Sequence, residues 1–403
     1  MHLENNHIKY FLLVSLLLVF SCMNKTTNEN IKNDITESNY ENIIEIPDDF
    51  TNSKIDLGDL VSSVNYVPLE TKPICFIGQI NKVLSDTGFF FIHDKNNNSI
   101  IRFNAEGKFL NHIGTIGDGQ GEFKEAYDVS LNKGKREVSV LDLRGRKVIN
   151  YDYDGNHINS LPMKFLFNQM EYIGDTIVCN IYKSYNTSMP SIYGYKIVKT
   201  NKKFDVLSKA IPYQVNNTNS FTTERPLRKF GNSIFFNDPY RNKIYKISPR
   251  NTYIEFIMDF NKSGWNQDLK FEELNDAEIN DLFESYSYFN GEFVASTRYL
   301  VFNIYKKNKS GTIYYSQKTG IIKYGNSYTN PKNRFQLVCF SVPKWLNYDD
   351  RFISAIEPFH LIQYMEYIKE EAGSNLTKVQ QAILNNLKEE DNPILVIYEL
   401  NDF

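Results

Sequence analysis

Cysteine is scarce in this chain: four among 403 residues, at positions 22, 75, 179 and 339. They lie far apart and none forms a CxxC or a Cys/His pair at ligand spacing, which argues against a disulfide framework and a zinc site. Cys75, Cys179 and Cys339 sit among apolar or aromatic neighbours (Ile74 and Phe76; Val178; Val338 and Phe340) and are expected to be free, buried thiols. An excess of one charge is also missing. Lys and Arg total 45 against 48 Asp and Glu, a formal net charge of −3, a balance that gives no electrostatic argument for nucleic acid. No apolar run approaches the roughly 20 residues that cross a bilayer. HExxH, GxSxG, GxGxxG and GxxxxGK[ST] are all absent. The expectation is no metal, no cofactor and no catalytic residue carried by a recognisable motif.

What is present begins with an apolar run of about 10 residues, Phe11 to Phe20, after a short basic start. It ends in Val19-Phe20-Ser21-Cys22. A small residue directly before Cys at such a junction resembles the lipobox of bacterial lipoproteins. The resemblance implies a signal peptide over residues 1–21 and a lipidated Cys22. Residues 22–53 then read as a polar, flexible tether, with too few large apolar side chains to order itself. About 380 residues remain after cleavage, enough for two or three ordinary domains or one large all-β body. Apolar residues at 41% supply a sizeable core, and 29 Phe and 27 Tyr make it aromatic.

From residue 54 onward, short alternating runs are separated by turn residues. Three stretches superimpose: Phe89 to Asp94 with Ile100 to Phe103, Val138 to Asp142 with Val148 to Tyr151, and Ser233 to Asp238 with Ile244 to Ile247. In each, an Asp closes one apolar run, a β-branched residue follows six positions later, and a large apolar residue three after that. Thr176 to Leu207 and Phe293 to Tyr324 fit the same plan with longer hairpins. Four short antiparallel strands at a period of about 45 residues make a propeller blade. One blade cannot bury both faces alone, whereas blades packed around an axis can.

The opening Tyr66-Val67-Pro68-Leu69-Glu70-Thr71 with Ile77-Gly78-Gln79-Ile80 resembles that of the six-bladed β-propeller lipoproteins of Bacteroidetes. So do Ile113 to Phe123, with Gln120 where that family usually has Pro, and the last strand, Asn392 to Leu400. The resemblance implies an all-β fold over residues 54–403, a six-bladed β-propeller of NHL-like repeats with blades near 74–112, 126–162, 166–212, 221–260, 286–327 and 333–400. Val64 to Glu70 would be the outer strand of the sixth blade. It implies no activity.

Two stretches break the β pattern, about 266–285 and 359–390. The first carries Phe271, Leu274, Leu282 and Phe283 among acidic residues, and the second repeats Leu376, Val379, Ile383, Leu384 and Leu387 at helical spacing. By topology these two helical insertions emerge on one face of the ring. Loops at that same end carry Arg144 and Arg146, Tyr185 with Lys183, Tyr240 and Arg241, and Lys306, while Arg225 and Arg228 flank the start of blade four. Such a basic, aromatic mouth suits an anionic ligand, since guanidinium pairs bidentately with carboxylate or phosphate. Solvated loop charge is the competing explanation.

Other motifs read as structure. Asp94-x-Asn96-x-Asn98 lacks the Gly and Glu of a calcium loop and reads as a solvated turn. Gly114 to Gly121 reads as an inter-blade link using positive φ. Asp175-Thr176-Ile177 fits a short O-glycosylation pattern of Bacteroidetes. The expectation is a cell-envelope protein, lipid-anchored on the outer membrane or periplasmic face, that binds an anionic small ligand, a glycan, a peptide or a partner protein. The competing function is a propeller hydrolase or lyase with its site in the central channel.

Overall fold

The middle strands of each repeat are largely apolar on both faces, which suits a strand packed on both sides. In the computed structural model, Phe90 and Ile92 face one way, into a cluster with Leu395 and Ile397 of the last blade. Phe91 faces the other way, into a cluster with Val129, Val138 and Val140 of the next. The period of two thus divides one strand between its two neighbours. The structure describes residues 31–36, 42–182, 184–213, 225–238, 240–266, 269, 273–329, 343–364, 381–382 and 385–403.

Six four-stranded antiparallel sheets form a β-propeller ring. Blade one is Ile80–Asp86, Phe89–Asp94, Ser99–Asn104 and Phe109–His112. Blade two is Ala126–Asn132, Glu137–Asp142, Lys147–Asp152 and His157–Pro162. Blade three is Gln169–Ile173, Thr176–Asn180, Tyr195–Thr200 and Val206–Pro212. Blade four is Leu227–Phe230, Ser233–Asn237, Lys243–Ile247 and Thr252–Asp259. Blade five is Ser287–Ala295, Tyr299–Lys306, Lys309–Ser316 and Ile322–Gly325. Blade six takes Trp345–Leu346, Phe352–Ile356 and Ile394–Leu400 from the C-terminal region. Its outer strand is Val61–Pro68, paired from Ile394↔Pro68 to Leu400↔Val61. Both halves of the chain therefore share one sheet, and the ring has no open end.

The first strand of each blade lies innermost. Strand direction alternates within a blade, so the ring has two distinct ends. Turns joining strands one to two and three to four form a hairpin end. Turns joining strands two to three, and the links between blades, form an insertion end. The repeat Asp acts there. Asp94 accepts from the amides of Gly78 (2.7 Å), Gln79 (3.1 Å) and Asn96 (3.1 Å), which fastens the middle turn to the incoming inner strand. Asp142 does the same with Lys124, Glu125 and Gly145. Both Asp side chains are fully buried, while Lys95, Asn96 and Asn97 of the first turn are exposed, as expected of a solvated turn. Asp238 departs from the pattern by pairing with Lys196 of blade three.

The Gly114 to Gly121 link has positive φ at Gly114 and Gly121. Its Gly119 amide donates to the chain's own Glu122 at 2.7 Å, so the loop holds a carboxylate of its own. The first insertion contains the helix Asp276–Ser285, with a capping box between Asn275 and Glu278. Its Phe271 lies outside the described residues. The second begins as a helix over 358–364, and Leu376 and Val379 lie outside the described residues.

The expected tether is corrected over 31–36 and 42–53, while its residues 22–30 and 37–41 lie outside the described residues. Residues 31–36 and 42–56 run as a belt around the ring. Lys32–Asn33 adds in parallel to the outer strand of blade three, Asn42–Glu45 to that of blade four, and Lys54–Asp56 pairs with Ser327–Thr329 after blade five. Ile44, Ile46 and Phe50 are buried, which anchors a segment whose overall composition is polar. Asp34 is 2% exposed and sits 2.7 Å from the Nζ of Lys199, which is 0% exposed. Ser208 Oγ donates to Asp34 at 2.6 Å and Thr252 Oγ1 at 3.2 Å. The lysine also donates to the carbonyls of Ser248 (2.6 Å) and Asn251 (3.0 Å). The belt therefore clasps blades three and four. Removing one member of a buried pair strands the other charge, so Asp34→Ala should cost about 3 kcal/mol in urea unfolding. Asp34→Ala with Lys199→Met should regain most of it; a single variant as stable as the parent would contradict the clasp.

Candidate functional site

An inner strand that faces the ring axis has no sheet to pack on, so polar residues there have room and water. The inner strands of blades one to five each carry at least one charged residue. Lys82 of blade one reaches across blade two: its Nζ lies 3.1 Å from Asp128 Oδ1, donates to the Val129 carbonyl at 2.7 Å, and meets Glu171 Oε1 of blade three at 2.8 Å. Ser130 Oγ donates to Glu171 Oε2 at 2.7 Å, and the Met170 amide donates to Asp128 Oδ2 at 3.0 Å. Burial opposes the Lys82 charge, but Asp128 and Glu171 more than offset it and hold its pKa above the ordinary value. This network ties three blades together on the axis.

Cations gather on the other side. Arg228 Nε donates to the Arg225 carbonyl at 3.0 Å and its Nη1 to the Phe293 carbonyl at 3.0 Å, with the guanidinium 5.3 Å from the Phe293 ring centroid. Burial lowers the pKa of Lys229, whose Nζ lies 3.5 Å from the Leu131 carbonyl. Two axial cavities share Arg225, Arg228, Lys344 and Trp345. The one toward the hairpin end has a volume of about 80 Å3 and adds Lys82, Lys133, Glu171 and Lys229 to its wall. The one toward the insertion end, about 250 Å3, adds Gln79, Asn81, Glu292 and Asn303. Both spaces are concave and polar-trimmed like ligand sites, but smaller than the roughly 300–1,000 Å3 of most such pockets.

The six loop residues expected to bind ligand lie at the insertion end, as the topology required, but in separate places. Arg144 is exposed and pairs with Glu125 at 3.0 Å. Arg146 is exposed in a left-handed turn, φ 53°. Tyr185 packs edge-on against Tyr182, centroids 5.4 Å apart. Tyr240 packs among Trp265, Phe283 and Tyr288 of the first insertion and blade five. Arg241 is buried, its Nη1 donating to the Leu269 carbonyl at 2.6 Å, so it seats the insertion. Lys306 approaches Asp48 of the belt at 3.9 Å. None of the six lines the two axial cavities. Cys22 and Lys183 lie outside the described residues.

The sequence reading passed over Lys82, Asp128, Glu171, Lys229 and Lys344. Their only signal is a charge within or beside a short strand, as in Lys82-Val83-Leu84 and Lys344-Trp345-Leu346. Cys75 and Cys179 are buried free thiols, while Cys339 lies outside the described residues. Thr176 is 8% exposed within its strand, a poor acceptor for a bulky sugar. Among the described residues no three His, Cys, Asp or Glu side chains gather at metal-binding distance.

Fold and axis together define a closed six-bladed β-propeller with a cation-rich axial cavity. The chain belongs to the family described as domain of unknown function DUF4934, which matches residues 41–399. Among solved structures it is similar to a protein described as exported from Bacteroides fragilis NCTC 9343, at 18% identity and TM-score 0.71, covering 89% of this chain and 100% of that one. A member of the DUF4221 family from Bacteroides vulgatus ATCC 8482 aligns at 9% identity and TM-score 0.49, over 85% and 98% of the two chains. No curated protein matches the sequence.

His93 sits opposite Lys82 in the blade-one ladder and is 1% exposed. Its Nε2 lies 2.7 Å from the Ala126 carbonyl, and burial lowers its pKa from 6.5 to about 4. The folded state thus binds fewer protons than the unfolded state between these values, so stability rises with pH there. It should be fully present above pH 6.5 and fall by up to about 3 kcal/mol on going down to pH 4. Urea unfolding of His93→Gln should show a flatter profile over that window; an unchanged slope would contradict the assignment.

Proposed function

We propose that this protein is a lipid-anchored binding module of the cell envelope, built on NHL-like blades, whose axial cavity takes an anionic ligand such as an acidic glycan or peptide. The observation that carries this reading is the convergence of Arg225, Arg228 and Lys344 on the insertion-end cavity, faced by one carboxylate, Glu292. Fixed cations in a recess partly shielded from water bind carboxylates and phosphates more strongly than surface charges do. The lipobox-like Val19-Phe20-Ser21-Cys22 supports the anchor, and the exported Bacteroides fragilis protein of the same fold supports the compartment. The ligand site expected at Arg144, Arg146, Tyr185, Tyr240, Arg241 and Lys306 moves inward to the axis in this reading. A hydrolase or lyase would need a free acid or base there. Asp128 and Glu171 are already engaged by Lys82, Ser130 and the Met170 amide, which leaves Glu292 as the acid such an enzyme would use.

The chain has two tryptophans, and Trp345 lines both cavities. In the Trp265→Phe chain, Trp345 fluorescence should therefore change saturably with oligogalacturonate or an oligoglutamate peptide. Lys344→Gln should weaken that binding by roughly 1.5–3 kcal/mol, the worth of a hydrogen bond to a charged group. A panel of acidic glycans and peptides that leaves Trp345 unmoved, or a Lys344→Gln chain that binds equally well, would overturn the axial site.

A further inference from the structure

The hairpin end carries a second basic recess, distinct from the insertion-end cavity. Between the first turns of blades two, three and four lies a cleft of about 410 Å3, lined by Lys133, Lys135, Gly174, Asp175, Lys229 and Asn232. Its acids are engaged: Asp175 pairs with Lys202, and Glu137 next to the cleft lies 3.9 Å from Lys135. Lys133 makes no ion pair among the described residues. Burial lowers the pKa of Lys133 and of Lys229, and the charge of Lys133 lowers Lys229 further. Like charges held in one recess repel, and an anion seated between them removes that cost.

The chain path supplies a second, independent observation. Lys32 and Asn33 pair in parallel with Ser208 and Lys209, near the start of the outer strand of blade three. That strand starts at the turn 201–205 on the hairpin end, so the belt comes onto the ring from that end. Cys22 is nine residues before Ile31, a reach of at most about 30 Å. Lys32 and Lys203 are exposed around this point.

We propose that the hairpin end of blades two to four seats on an anionic lipid surface, with a headgroup phosphate in the Lys133, Lys135 and Lys229 cleft. The direction of approach rests on the lipoprotein reading of Cys22. A lipid chain plus a basic patch is the two-signal arrangement that gives stable anchoring. It turns the insertion end, with its opening to the axis, away from the bilayer and toward solutes.

The test uses the processed chain, residues 22–403, with Cys22→Ser so that no lipid contributes. It should co-sediment with vesicles containing phosphatidylglycerol and not with pure phosphatidylcholine vesicles. Lys133→Glu with Lys135→Glu should weaken that binding roughly tenfold or more, since each basic residue near an anionic surface adds appreciably. Arg144→Glu with Arg146→Glu, at the other end, should leave it unchanged, and matched thermal melts exclude unfolding. Lys229→Gln gives a milder second variant of the cleft. Equal binding to both vesicle types, equal loss with the Arg144 and Arg146 pair, or binding of inorganic phosphate without vesicle binding would each overturn the proposal. Failure of the lipoprotein reading shows separately, as the wild-type protein in the soluble fraction of cells.

Discussion

The pairing of Val61–Pro68 with Ile394–Leu400 is the constraint on which the rest depends. A blade in the middle of the ring buries both faces against its neighbours, but a terminal blade would expose one face and one edge. Sharing the last sheet between the two ends of the chain removes both liabilities at once. The belt extends the same logic outward. By adding strands in parallel to the outer edges of blades three and four, it covers hydrogen-bonding groups that would otherwise face solvent or another chain. Opening the ring requires both the closure strand and the belt to detach.

Closure also creates the axis. Inner strands from distant parts of the chain are forced side by side, and whatever charge each carries is brought together. The result is asymmetric. Lys82, Asp128 and Glu171 pair with one another across blades one to three, whereas Arg225, Arg228, Lys229 and Lys344 meet from the sides of blades four and six. Buried ion networks add little net stability, but losing one member is costly, so the first group locks the relative rotation of its blades. The second group lines the walls of the two axial cavities.

Much of the fold was legible because its signals are local. The repeat Asp marks a turn whose amides it must satisfy, the apolar runs have the period of strands, and the two insertions break that period. The belt and the charged axis escape the sequence for a common reason. The belt is polar in composition, and its hold rests on Asp34, Ile44, Ile46 and Phe50, too few to register against a background of Asn, Glu and Lys. The axial residues are isolated charges in or beside short strands, Lys82 and Lys344 lying 262 positions apart, and only ring geometry reveals them as neighbours. Arg241 looked like a ligand-binding loop residue, yet it spends its guanidinium on the Leu269 carbonyl, a contact set by how the insertion folds back.

The central claim is that ring closure gathers dispersed cations on the axis into a site for anions. The most direct measurement is anomalous scattering from crystals soaked in bromide or selenate. The account predicts a strong peak on the axis, between the guanidinium groups of Arg225 and Arg228 and the ammonium of Lys344. Peaks confined to surface loops, with the axis empty at saturating salt, would contradict it.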